Sequence, residues 1–85
     1  MLIGQPVNLT SSNAIYGSRA KLIGFYVNST TSGTIVLRDG GSGGTAVSGT
    51  ITPAVGWHFF PAEFSSSPYA TIGATLNVTF IFQPV

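Results

Sequence analysis

Histidine and the carboxylates, the side chains that acid–base catalysis uses most often, number only three in this sequence. His58 is the only histidine, and Asp39 and Glu63 are the only acidic residues among 85. A serine–histidine arrangement needs a carboxylate to orient the imidazole, and glycoside hydrolysis needs two carboxylates around one bond. Asp39 lies at a predicted turn beside Arg38, whereas Glu63 lies near an aromatic segment, so nothing in the spacing brings the carboxylates together. The sequence therefore predicts no catalytic residue and a protein that is not an enzyme.

A glycine-rich segment is the other candidate for chemistry. The stretch "LRDGGSGGTAVSG", from Leu37 to Gly49, holds five of the eleven glycines. A phosphate-binding loop needs G-x-x-x-x-G-K-[ST] before a helix, but here Thr45 and Ala46 follow the second glycine pair and a strand pattern continues. A calcium loop needs several side-chain oxygens, and this loop offers Asp39 and Ser42. We predict a flexible turn between strands, in which glycine adopts positive φ without penalty.

Composition restricts the classes of partner. Cysteine is absent, so a Cys-based zinc site is excluded, and we expect no metal and no cofactor. Only 6% of the residues are charged and the net charge is +1, against about 25% charged residues in an average protein. Three scattered basic residues are not the basic cluster of a nucleic-acid binder. So low a charge predicts a surface made mostly of Ser, Thr, Asn and Gly, or a surface covered by a partner.

The sequence also gives no sign of a membrane or export segment. The longest apolar run, "LIGFYV", is far shorter than the ~20 residues of a membrane-spanning helix. The N-terminal "MLIGQPVNLT" lacks the basic region and long apolar core of a signal peptide. We therefore expect no membrane partner and synthesis in a cytoplasm.

Apolar residues alternate with a period of two, which predicts strands throughout the chain. The clearest cases are "KLIGFYVN", "GTIVLRD", "VSGTIT" and "TLNVTFIFQ". Turn-type segments such as "NSTTSG" recur about every ten residues, as in antiparallel sandwiches and barrels. We predict one all-β domain over residues 1–85, a small antiparallel β-sandwich (jelly-roll or Ig-like) of roughly seven to eight short strands. Residues 1–12 form its first strand or an N-terminal arm. The predicted core is Ile23, Phe25, Val27, Ile35, Leu37, Ile51, Leu76, Val78, Phe80 and Phe82.

Several strands also place apolar residues on the face opposite this core. In "GWHFFP", Trp57 and Phe59 share one face of a strand, whereas His58 and Phe60 share the other, so only one pair can fill the core. Apolar groups on both faces favour a covered second face and hence a homo-oligomer. The alternative to a covered face is an aromatic platform on which sugar rings stack, and exposure around Trp57 would favour this alternative. The candidate interface residues are Leu22, Tyr26, Trp57, His58, Phe60 and Ile81.

Three N-x-[ST] triplets occur, beginning at Asn8, Asn28 and Asn77. In a secreted protein such triplets are acceptors for N-glycosylation. No signal peptide accompanies them, and the alternation of polar residues along strands produces such triplets easily. We interpret the three asparagines as structural.

The order of these segments resembles small virion structural proteins of tailed bacteriophages. The resemblance rests on "KLIGFYVNSTTSGTIVLRDG", then a glycine-rich turn, then "GTITPAVGWHFFPAEFSSSPYATIG" and the closing strand "NVTFIF". It spans about Lys21 to Phe82 and contains no catalytic signature. The stretch "SSSPYATIGATLNVTF" departs from the glycine-rich form that this corner has in the family.

The resemblance implies a β-sandwich that coats or joins parts of a capsid or tail. The expected function is a capsid decoration or cement protein that binds the major capsid protein or a neighbouring virion protein. The expected location is the virion, with the capsid surface favoured, and the threefold sites of icosahedral shells favour a homotrimer. The alternative is a tail or fibre-associated module that contacts carbohydrate on the host surface.

Overall fold

The computed structural model describes residues 4–85, and every regular element in this range is a β-strand. The strands are β1 (Gln5–Leu9), β2 (Asn13–Ala14), β3 (Ala20–Asp39), β4 (Thr45–Ala46), β5 (Gly56–Phe64) and β6 (Pro68–Pro84). All their pairings are antiparallel. The prediction of an all-β antiparallel protein is confirmed. The described residues contain no helix long and apolar enough to cross a membrane.

Two long strands, β3 and β6, form the centre of the sheet. They pair from Ala20 opposite Pro84 to Asp39 opposite Pro68. A straight strand of β3's length would span about 65 Å at roughly 3.3 Å per residue, yet the Cα atoms extend over only 33 × 32 × 17 Å. Both strands must therefore bend, and β3 has three irregularities in its register with β6.

One bend lies where the sequence predicts the turn "NSTTSG". Ser32 and Ala74, on the two long strands, have positive φ angles of 55° and 56°. At Gly33 an added Cβ would lie 2.7 Å from the Leu76 Cβ and from the Thr75 carbonyl oxygen, so the strands approach too closely for a side chain. The predicted turn is a bend within one continuous strand, and this is why six strands replace the larger predicted number.

The bend divides the sheet into two halves. In the first half, β1, the end of β6, the start of β3 and β5 lie side by side. In the second half, β2 flanks the start of β6, and β4 flanks the end of β3. The rings of Tyr16, just after β2, and Phe82, near the end of β6, are 5.2 Å apart, so opposite ends of β6 come together. The predicted sandwich of separate sheets is not confirmed, because all six strands belong to one hydrogen-bonded sheet.

Part of the predicted N-terminal arm, residues 1–3, lies outside the described residues. Residues Gln5–Leu9 pair with Val78–Phe82 as the edge strand β1. This segment is therefore a strand of the first half of the sheet.

One apolar cluster lies between the halves and contains most of the predicted core. Its buried members are Leu9, Ile15, Ala20, Leu22, Phe25, Val27, Ile35, Leu37, Phe64, Ala70, Leu76, Val78, Phe80 and Phe82. Ile51 is half-buried against this cluster. Ile23 and Leu22 were predicted on the wrong faces, since Leu22 is 1% exposed and Ile23 is only half-buried. Ile23 is an extra residue between Leu22 and Gly24 relative to β6, and such a bulge shifts the alternation by one position.

Candidate docking face

The outer surface of the first half carries a group of exposed aromatic side chains. Trp57 is 47% exposed, Phe59 is 69% exposed and Tyr26 is 46% exposed. Trp57 lies opposite Tyr26, and Phe59 lies opposite Gly24, in the pairing of β5 with β3. Residues paired across strands share a face, so these three side chains lie on one surface, which we call the aromatic face. Ile81 pairs with Gly24 from the other side and is half-buried on the same surface.

Gly24 fixes the position of the Trp57 indole. A Cβ at Gly24 would collide with the carbonyl oxygen of His58 and lie 2.8 and 2.9 Å from Cζ2 and Cη2 of Trp57. The indole therefore covers the space that a side chain at residue 24 would occupy. Any larger residue at this position would displace the ring, so the sequence holds Trp57 against the sheet.

A polar cluster borders the aromatic face. The Asn8 side-chain amide donates to Oδ1 of Asn77 at 2.7 Å and to Oγ1 of Thr79 at 3.2 Å. The Asn28 amide donates to the same two oxygens at 3.1 and 3.0 Å. The asparagines of the three N-x-[ST] triplets thus come together from β1, β3 and β6. Their mutual hydrogen bonds give them a structural role.

His58 and Phe60 lie on the opposite side of β5 from Trp57. The His58 ring stacks on buried Phe25 with centroids 5.2 Å apart. Its Nε2 lies 2.7 Å from the carbonyl oxygen of Ala54, which can only accept, so Nε2 donates. Phe60 is half-buried against the core. The His58 imidazole thus makes structural contacts, through both its hydrogen bond and its stacked ring.

The six candidate interface residues are therefore divided between the two sides of the sheet. Tyr26, Trp57 and Ile81 lie on the outer surface. Leu22 is in the core, and its predicted outward orientation is wrong because of the bulge at Ile23. Phe59, which the sequence analysis did not choose, is the most exposed large apolar side chain among residues 4–85. Its place two residues after Trp57 on the same strand was the signal that could have found it.

Asp39, at the end of β3, binds the connection between β5 and β6. Its carboxylate accepts hydrogen bonds from the amides of Ser65, Ser66 and Ser67 at 2.9–3.0 Å and from the Ser65 hydroxyl at 3.0 Å. Partial burial raises the pKa of Asp39, but the amides of Ser66, Ser65 and Ser67 and the Ser65 hydroxyl together hold this pKa below 3.8. The carboxylate is therefore an ionised structural group.

The glycine-rich segment is a turn between β3 and β4, as predicted. Gly40 and Gly41 have φ angles of 109° and 85°, and the Gly44 amide donates to the Gly41 carbonyl at 3.0 Å. Arg38 fastens the turn, because its Nη1 donates to the Gly44 carbonyl at 3.2 Å while its Nε donates to the Thr71 hydroxyl at 3.0 Å.

A shallow groove of about 480 Å³ lies on the first half, next to the aromatic face. Phe59, Pro61 and Ile23 form apolar parts of its lining, and Glu63, Lys21 and Gln83 form polar parts. Within residues 4–85, no three histidine, aspartate or glutamate side chains come together as metal ligands.

Comparison with known proteins identified no relative of this chain. No family model matches the chain, and the searches of curated proteins and of solved structures found no match.

Proposed function

We propose that this chain is a non-enzymatic virion structural protein of the capsid-decoration type, which attaches to the major capsid protein or a neighbouring virion protein through the aromatic face. The observation that carries the proposal is the exposure of Trp57, Phe59 and Tyr26 on one surface of a chain with 6% charged residues. The resemblance to phage virion proteins supplies the class of partner.

The aromatic face has the properties of the centre of a protein interface. Tryptophan and tyrosine are enriched among the residues that dominate binding energy, and polar groups surround them. Three half-exposed aromatic side chains present roughly 300 Å², whereas a stable interface buries about 800 Å² on each partner. The aromatic face would thus be the central part of a larger contact, with the Asn8–Asn28–Asn77 cluster at its border. Because Gly24 holds the indole in place, little ordering of Trp57 is needed on binding.

The experiment that tests attachment is co-sedimentation with empty capsids of the phage that, under this proposal, encodes the chain. Trp57→Ala should weaken binding by about thirtyfold, since truncating a central tryptophan costs about 2 kcal/mol or more. Val47→Ala is the matched control, because Val47 is 48% exposed in the second half, and it should bind like the wild type. Equal binding by wild type and Trp57→Ala would contradict docking through the aromatic face, and a wild type that does not bind would contradict attachment.

The proposal includes self-association, with the trimer that the resemblance favours. Within residues 4–85, β5 pairs only with β3, so the other edge of this nine-residue strand has no strand partner. Unpaired edges tend to add strands from other chains unless charged residues or proline protect them, and residues 56–60 of β5 contain neither Asp, Glu, Lys, Arg nor proline.

Light scattering of the purified protein measures this association. Trp57→Glu, which places a charge on β5 itself, should dissociate the oligomer, because burying a charge in a dry interface costs several kcal/mol. Val47→Glu, the control, should leave the mass unchanged. A wild type that remains monomeric at high concentration would overturn self-association without affecting the capsid experiment.

A second candidate function is a carbohydrate-binding module, of the tail or fibre type. The exposure of Trp57 and Phe59 supports this function as well, because sugar rings stack on exposed aromatic side chains. The groove beside Phe59 supports it further.

A further inference from the structure

The groove of the first half combines a stacking ring with a row of polar side chains. Phe59, whose side chain is 69% exposed, lies in its lining together with Pro61 and Ile23. Lys21 pairs with Glu63 on β5 and with Gln83 on β6. These three long side chains therefore form one cross-strand row on the outer surface, along the groove. The volume of about 480 Å³ falls within the ~300–1,000 Å³ typical of small-ligand sites.

The chemistry of the lining restricts the ligand. Glu63 accepts hydrogen bonds, Lys21 donates them, and the Gln83 amide does both, which suits hydroxyl groups that both donate and accept. One carboxylate beside one ammonium gives the row no net charge, so an anionic or cationic ligand would meet a like charge. An exposed phenyl ring offers stacking to a flat apolar surface, and a pyranose presents such a surface through its C–H groups.

We propose that this groove binds a neutral oligosaccharide, with one pyranose ring stacked on Phe59 and its hydroxyls bonded to Glu63, Gln83 and Lys21. The inference rests on the second candidate function and assigns that function a site. The aromatic face and the groove share Phe59, whereas Trp57 belongs only to the aromatic face.

The test uses the full chain and free neutral hexasaccharides, namely maltohexaose, cellohexaose and chitohexaose, with a sialic-acid oligomer as the charged comparison. Saturation-transfer and chemical-shift NMR measure binding, and the spectrum of each variant shows whether its fold is retained. Phe59→Leu keeps an apolar side chain but removes the ring, and Phe59→Tyr keeps the ring. Glu63→Gln keeps the shape of its side chain but removes the charged acceptor.

We expect at least one neutral hexasaccharide to bind the wild type. Phe59→Leu and Glu63→Gln should each weaken binding about tenfold, whereas Phe59→Tyr and the distant control Val47→Ala should leave it within about twofold. The contrast between leucine and tyrosine at residue 59 separates ring stacking from general apolar contact, because leucine keeps an apolar side chain and removes only the ring.

Three results would overturn the proposal. If Trp57→Ala abolished binding while Phe59→Leu and Glu63→Gln did not affect it, carbohydrate binding would stand and the groove would be the wrong site. If no saccharide bound, both the site and the second candidate function would fail, while attachment to capsids would remain tested by co-sedimentation. Binding of only the charged oligomer would overturn the assignment of a neutral ligand.

Discussion

The same two strands, β3 and β6, pass through both halves of the sheet, yet their outer surfaces differ. In the first half, Tyr26 on β3 lies beside the exposed Trp57 of β5. In the second half, the outer positions are Thr34, Val36, Arg38, Tyr69 and Thr71, all half-buried. Arg38 and Thr71 are hydrogen-bonded to each other there. The inner surfaces are alike, because buried residues of both halves belong to one cluster.

This difference predicts that stability and the proposed binding depend on different halves of the molecule. The second half satisfies polar groups internally, through the hydrogen bonds of Arg38 and of the Asp39 carboxylate. The first half leaves large aromatic side chains in water, which is unfavourable in an isolated chain and becomes favourable when a partner covers them. Binding is therefore expected in the first half, and the second half should respond to substitution only through stability.

The largest expected effect tests whether the halves share one core. Phe80 and Leu37 are each 0% exposed, in the first and second half respectively. Phe80→Ala should destabilise the fold by about 3–5 kcal/mol and Leu37→Ala by about 2–5 kcal/mol, because each leaves a cavity. Thermal and chemical denaturation, followed by far-UV circular dichroism and by Trp57 fluorescence, should show one transition that moves to lower temperature in both variants. Separate transitions from the two probes would mean that the halves fold independently.

A smaller effect is expected where the aromatic face rests on the sheet. Gly24→Ala should cost about 1–3 kcal/mol, since the new methyl group collides with the His58 carbonyl and the Trp57 indole. The displaced indole should also change its fluorescence maximum. Gly43→Ala is the control, because nothing lies within 4 Å of a Cβ at that turn position. An unaltered melting temperature and emission spectrum in Gly24→Ala would show that the indole does not lie over Gly24.

The sequence predicted the all-β class and most of the core, because period-two alternation is a direct consequence of strand geometry. It could not predict that "NSTTSG" bends a continuous strand, since the partner of that segment, around Thr75, is more than forty residues away. The misplaced Leu22 and Ile23 have the same origin. A bulge depends on the register of neighbouring strands, which the local pattern does not contain.

The candidate site was predicted in part for a related reason. Local alternation is enough to place Trp57 and Phe59 on one face of β5. It does not reveal which face is the outer one, because both carry aromatic residues in "GWHFFP". The stack of His58 on buried Phe25 shows that the His58 side of β5 is the inner one. This contact joins two different strands, so the sequence of β5 alone does not contain it. The groove also depends on such contacts, since its polar row comes from β5, β3 and β6.

The smallest effect is expected at Asp39, in the contact that holds the second half to the connection between β5 and β6. Asp39→Asn keeps the size of the side chain but places an amide NH₂ where an oxygen accepted from the serine amides. Since water reaches these groups, we expect a cost of about 1 kcal/mol at neutral pH, measured by chemical denaturation. Glu63→Gln removes the other carboxylate of the chain and should change stability by less than about 0.5 kcal/mol. Equal effects of the two substitutions would contradict a specific role for Asp39.

The pH dependence of this difference distinguishes the charge of Asp39 from its shape. In the folded chain the pKa of Asp39 is lowered from 3.8, so the folded state binds its proton less readily than the unfolded state. The stabilisation is therefore fully present above the unfolded pKa and is lost as pH falls through the lowered folded pKa. The gap in unfolding free energy between wild type and Asp39→Asn should be constant above about pH 5 and should shrink below about pH 4. A gap that persisted unchanged to the acid limit would show that the hydrogen-bonding shape of residue 39, and not its ionised carboxylate, holds the connection between β5 and β6.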